Sequence, residues 1–258
     1  MTSSLVGSEM CIRDSKNIEY GLPHEEYPKE NVDQYMEELK KVIGLEKEPV
    51  AITFLFKKED YDEYPIEEIK AAMPYCVMVK QAALQGKGIK SRLEHHKCDG
   101  ATTALALEPS TEKIESGQEY FSYKLYSSVA TARRLRSSIK SLHRMPVHNY
   151  GVAIVPLSQC VQTPDVIISI CNAYQAMRYV QGYEYNTGKK PEIDMGAMQG
   201  MCSEVTVSPY LTGELNVSVL CPSTRMLCKW SENDMAVGIP FELFEAVTKG
   251  IIATQPNY

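Results

Sequence analysis

The chain has 258 residues, with 27 Lys and Arg against 33 Asp and Glu, for a formal charge of -6. That mild acidity argues against general nucleic-acid binding, which needs a basic footprint, and no apolar run approaches the roughly 20 residues that cross a bilayer. Apolar residues make up 44% and charged residues 23%, the balance of a globular domain and not of a disordered, collagen-like or coiled-coil chain.

Met1 to Ser15 (MTSSLVGSEMCIRDS) carries neither a helical nor a strand period and resembles a translated sequencing adapter, the alternative being a natural disordered tail. It lacks the apolar core and small-residue cleavage site of a signal peptide and is left out of the fold reasoning. Residues 16–258 hold no Pro- or Ser-rich linker and read as a single globular domain. Asn31 to Gly44 has Val32, Tyr35, Met36, Leu39, Val42 and Ile43 on one helical face, with Gly44 as the stop. Pro49 to Phe56 (PVAITFLF) is a short, β-branched strand. The acidic stretch Glu59 to Glu68 is a solvated loop and helix start. Tyr75 to Gln85 is a buried helix, and Cys98 to Ala106 is a helix or close-packed turn.

Tyr120 to Leu142 reads as mostly helical, with Arg133, Arg136, Lys140 and Arg144 recurring on one face that could bind a phosphate or carboxylate but more often is simply solvated. Val152–Val155 and Val166–Cys171 are strands, and Asn172–Tyr185 is the helix after the second. Met195–Thr206 has no decided period. Leu215–Leu220 and Ala236–Ile239 are strands, and Pro240 opens a final helix at the position where its missing N–H costs nothing. Strands and helices alternate, so the fold class is α/β or α+β, a mixed sheet with flanking helices. A strand, a helix and Cys98 come in an order that a later strand, helix and Cys202 repeat, which suggests two similar halves.

Setting Cys11 aside leaves seven cysteines: Cys76, Cys98, Cys160, Cys171, Cys202, Cys221 and Cys228. An odd count without an export signal favours reduced thiols and a cytoplasmic location over a disulfide framework. Cys171, inside VIISIC, fits a small buried hydrophobe. Cys76, Cys98, Cys202 and Cys221 stand in separate polar or turn contexts. Gly100 and Pro222 place two of these thiols at element ends. Thiolates are the soft ligands of iron–sulfur clusters, zinc and copper, although no Cys-x-x-Cys is present and each ligand would come from a different element.

His95 and Cys98 are three residues apart and could share a metal on a helix, but Glu94 and Lys97 beside them suit a solvated turn. His143 and His148 have no triad partners at a recognisable spacing. No Gly-x-Gly-x-x-Gly or Walker loop supports a nucleotide. Asn172 follows a strand directly, where ligands collect in open α/β sheets, and the tyrosines of the next helix suit core packing or a pocket wall.

Several motifs occur in a fixed order: Pro49-Val50-Ala51, Pro74-Tyr75-Cys76, Cys98-Asp99-Gly100-Ala101, Pro156-Leu157, Pro164-Asp165-Val166, Cys202, Asn216-Val217-Ser218, Cys221 with Arg225, and Gly238-Ile239-Pro240. Their order and spacing, from about residue 31 onward, resemble the domain of unknown function 169 family of bacteria and archaea. The family carries no established activity. The resemblance implies that Cys76, Cys98, Cys202 and Cys221 occupy recurrent family positions, whereas Cys160, Cys171 and Cys228 are peculiar to this chain.

The resulting expectation is a cytoplasmic redox or cofactor-handling protein with a small-molecule partner. Cys76, Cys98, Cys202 and Cys221 would hold an iron–sulfur cluster or other thiolate-bound metal, with Arg225 tuning its charge or holding an anionic ligand. Without a metal, Cys98 would be the catalytic thiol, its pKa lowered by a Gly-rich helix start. The alternative is a non-catalytic module that buries its cysteines and holds a small ligand between its halves.

Overall fold

A computed structural model of the chain describes residues 27–254; the adapter-like segment and Cys11 lie outside them. Helix α1 (Lys29–Ile43) buries Val32, Met36, Leu39 and Ile43 along one stripe and ends at Gly44, which takes the left-handed conformation at φ 63°. Strand β1 (Val50–Leu55) is buried at every position, as its unbroken apolar run requires when both faces are covered. Helices α2 (Lys58–Glu63) and α3 (Tyr75–Gln85) follow, then β2 (Ile89–Arg92), α4 (Asp99–Ala104), α5 (Glu112–Glu115), α6 (Gln118–Ser122) and α7 (Val129–Ser138). The second part of the chain holds β3 (Gly151–Pro156), β4 (Val166–Cys171), α8 (Ala173–Thr187), a π-helix (Gly200–Val207), α9 (Ser208–Thr212), β5 (Asn216–Ser218), α10 (Pro222–Cys228), β6 (Met235–Pro240) and α11 (Phe241–Ala253). Among the described residues, no helix is long and apolar enough to cross a membrane.

The six strands form one sheet in the order β2-β3-β1-β4-β6-β5. Every strand pair is antiparallel, so the class is α/β in content but the sheet is not mixed. Each half of the chain lays out its three strands alike, with the first at the centre, the third beside it and the second at the edge. The expected repeat is therefore present as topology, with a different pairing of cysteines. Cys98 follows edge strand β2 and Cys221 follows edge strand β5, while Cys76 and Cys202 lie on the helices that precede those edges.

Side-chain alternation divides the sheet into two cores. Val50, Ile52, Phe54, Val166, Ile168 and Ile170 face α3, α4, the π-helix and α10. Ala51, Ile167, Cys171, Val237 and Ile239 face α1, α8 and α11. Gly238 lets the π-helix lie directly on β6, because a Cβ there would sit 2.3 Å from the Val205 carbonyl oxygen. The long helix expected over Tyr120–Leu142 is broken: α6 ends at Ser122, α7 starts at Val129, and the backbone turns extended at Ile139. Lys140 and Arg144 thus lie beyond the helix whose basic face they were expected to share.

Candidate functional site

The four cysteines singled out from the sequence arrive at one side of the sheet from four elements. Cys76 is the second residue of α3, after Pro74. Cys98 and Cys221 are the residues that cap α4 and α10. Cys202 is the third residue of the π-helix. All four sit at the amino ends of helical segments, where backbone N–H groups lack intrahelical acceptors.

Close backbone packing holds these ends together. A Cβ on Gly200 would lie 2.8 Å from the Leu220 Cα and 2.9 Å from the Cys221 nitrogen, so only glycine lets the π-helix reach the start of α10. Leu220 (φ 67°) and Gln199 (φ 53°) adopt left-handed conformations without being glycine, at a cost of order 1–3 kcal/mol each that the surrounding packing must offset. Gln199 Nε2 donates to the Gly100 carbonyl at 2.8 Å and to Tyr120 Oη at 2.9 Å, tying the Cys98 helix to the π-helix. Cys202 Sγ points toward the same Gly100 carbonyl, 4.0 Å away. Cys221 Sγ lies 3.1 Å from Thr224 Oγ1, and Cys228 Sγ lies 3.3 Å from the Cys76 carbonyl oxygen.

The electrostatics follow that proximity. Burial first, then the charges of Cys98, Cys221 and Cys76, push the Cys202 thiol well up. Cys98 is exposed as a residue, yet crowding by protein raises its thiol, with Cys76 and Cys221 adding to the shift and backbone N–H groups opposing it. This reverses the direction expected for Cys98. The thiol pulled down is Cys76, chiefly by its hydrogen bond with Cys228, against burial and with help from Thr224 and the Val77 N–H. Ionised neighbours therefore oppose ionisation of Cys202 and of Cys98, a conflict that a bound cation or cluster removes.

Among the described residues, no three of these sulfurs lie within 4.8 Å of one another. A single tetrahedral zinc would need sulfurs about 3.8 Å apart, as metal–sulfur bonds of about 2.3 Å dictate. The one close group of candidate ligands is Glu68, Glu94 and His95, and Arg92 already ion-pairs with both carboxylates, at 2.9 and 2.8 Å. His96 stacks on Tyr75 and is held neutral, lowered to about 4, first by burial and then by the His95 charge.

The remaining expected residues serve the fold. Arg225 donates to the carbonyls of Val219, Ser231 and Asp234 at 2.8–3.0 Å, so most of its guanidinium is spent on backbone and not on an anion. Asn172 caps α8 reciprocally with Gln175, both bonds at 2.9 Å, and is a helix cap, not a pocket wall. Arg136 is fully buried against Glu115 and Lys140 pairs with Asp194, so that stripe is not a free basic face. His143 contacts Ser141 and Glu115. Cys160 and Cys171 lie in the core on the opposite face of the sheet, their thiols raised by burial to about 11 and about 12.

Thr224, Cys228, Gln199, Tyr120 and Glu204 escaped the sequence reading. Cys221, Thr224 and Cys228 are spaced three and seven apart, and that period places them on one helix face. Glu204, buried in the π-helix, accepts from Ser218 Oγ and the Gly196 N–H, and burial raises it to about 7. An eight-residue π-helix is itself unusual and such segments concentrate at functional sites.

The chain belongs to the domain of unknown function 169 family, described as Uncharacterised ArCR, whose profile it matches over residues 38–250. It is similar to MJ0308, an uncharacterised protein of Methanocaldococcus jannaschii, at 22% identity over 224 residues, covering 86% of this chain and 93% of that protein. No solved structure matches it.

Proposed function

We propose that the protein is a redox or cofactor-handling protein of the cytoplasm whose Cys76, Cys98, Cys202 and Cys221 jointly hold a thiolate-bound metal centre, an iron–sulfur cluster being the best fit. The observation that carries this reading is the mutual coupling of the thiols: Cys202 feels Cys98, Cys221 and Cys76, although these residues are up to 145 positions apart in sequence. The donor set is all sulfur, the chemistry that iron–sulfur centres select. No three of these sulfurs lie within 4.8 Å of one another among the described residues, so a single tetrahedral ion is a poorer match than a cluster, whose thiolates bind separate irons. Such a group would supply electron storage or a Lewis-acidic iron.

The protein's own part is positional. Gly200 and Gln199 hold Cys202 beside Cys221 and Cys98. Exposed Cys98 leaves the centre reachable from solvent by a small molecule. The charge that four thiolates would otherwise impose on one another is what makes a cationic centre favourable there.

Iron and acid-labile sulfide analysis of protein purified without oxygen tests the reading. Iron and sulfide bound in comparable amounts, lost in each of Cys76→Ser, Cys98→Ser, Cys202→Ser and Cys221→Ser but kept in Cys171→Ser, is the expected result. Colourless protein with no bound metal, indifferent to all five changes, would favour a binding module with structural cysteines instead.

A further inference from the structure

The fifth cysteine on this side of the sheet has no part in the reading above. Cys228 is buried at the end of α10, and Cys76 is buried at the start of α3. The two helices pack on each other. Cys228 Sγ reaches the Cys76 backbone carbonyl at 3.3 Å, and the Cys228 side chain is the largest influence on the Cys76 thiol. The other three thiols are differently engaged. Cys221 faces Thr224, Cys202 faces carbonyls of Gly100 and Gln199, and Cys98 is open to solvent.

We propose that Cys76 and Cys228 form a redox-active dithiol that closes to a disulfide on reaction with a small peroxide. A side-chain contact between two thiols on packed elements is the arrangement from which a disulfide forms with little backbone movement. The chemistry balances with hydrogen peroxide as the oxidant. The Cys76 sulfur attacks one peroxide oxygen, the O–O bond breaks, and the thiol proton leaves with the departing hydroxide as water, giving a sulfenic acid. The Cys228 sulfur then attacks the Cys76 sulfur, the S–S bond forms, the S–O bond breaks, and the Cys228 proton leaves with hydroxide as a second water. Two thiols are oxidised by two electrons and one peroxide is reduced to water.

Of the other cysteines on this side, Cys98 is exposed and Cys221 half-buried. Cys160 and Cys171 have no such contact and lie behind the sheet. One consequence rests on the proposed function: closing the disulfide removes Cys76 from the metal-holding set, so peroxide would release the metal.

The test uses the full chain freed of metal, so it stands whether or not a cluster binds. Protein treated with hydrogen peroxide, alkylated and digested without reductant is mapped by mass spectrometry. A linked Cys76–Cys228 peptide, reversed by reductant, is the expected product. In Cys228→Ala the same treatment leaves a sulfenic acid on Cys76 that a dimedone-type probe captures. Free, alkylated Cys76 and Cys228 after oxidation of Cys98, or Cys76 linked to any other cysteine, overturns the proposal, and the wild-type map alone suffices if the variant does not fold. In metal-loaded protein, faster peroxide-driven metal loss from wild type than from Cys228→Ser is expected; equal rates would break the link between the switch and the metal site while leaving the peptide map to decide the disulfide.

Discussion

Gly200 and Cys221 meet backbone to backbone: a methyl group on Gly200 would come within 2.9 Å of the Cys221 nitrogen. The contact is between main-chain atoms, which cannot rotate aside as a flexible side chain could. It seats the π-helix, and Cys202 with it, against the amino end of α10.

Gly200→Ala should therefore push the π-helix from its seat at a cost of about 1–3 kcal/mol, the range for overpacking a close-packed interior. A lower denaturant midpoint, with weaker metal retention than in wild type, is the expected outcome. An unchanged midpoint would mean that the two segments are not packed as described.

Arg225 bridges three carbonyls, those of Val219, Ser231 and Asp234. Arg225→Ala should lower stability by about 1–3 kcal/mol, because three carbonyls lose a charged donor. Arg225→Lys should restore little, since an ammonium cannot fork across Val219, Ser231 and Asp234. Equilibrium unfolding of the three proteins checks both points, and full rescue by lysine would contradict the bridging role.

Asp165 gives the protein a predictable pH response. The Phe54 N–H donates to its carboxylate at 2.7 Å, but loss of water around the group raises it to about 7, with Glu242 adding and that N–H opposing. A carboxyl raised on folding binds its proton more tightly in the native state. Its contribution is fully present below the unfolded value of about 3.9, and stability falls as the pH rises toward about 7, then levels. Asp165→Asn keeps an oxygen for the Phe54 N–H and cannot ionise. Urea midpoints measured against pH should fall less steeply for Asp165→Asn than for wild type across that window; parallel curves would show that Asp165 ionises normally.

Much of the fold was legible because it rests on short apolar runs with clear punctuation. The stripe ending at Gly44, the run Val50–Leu55 and the Pro240 helix start all match the observed elements closely. Strand β2 was not legible: Ile89-Lys90-Ser91-Arg92 has one apolar residue and gains its place through tertiary pairing with β3. The π-helix was opaque for a related reason. All eight of its residues are buried, so no amphipathic period marks it. Local sequence context marked the four cysteines as distinctive, but the Gly-rich helix start pointed to Cys98 as the activated thiol. It could not reveal that the Cys228 thiol meets Cys76, because that contact spans 152 residues and depends on α10 packing against α3.

The central claim, that sulfur from distant parts of the chain surrounds one metal centre, is tested most directly by iron-edge X-ray absorption on anaerobically purified protein. An all-sulfur first shell with a short iron–iron vector is the predicted spectrum. A shell of nitrogen and oxygen alone, or no bound iron in the folded chain, would contradict it.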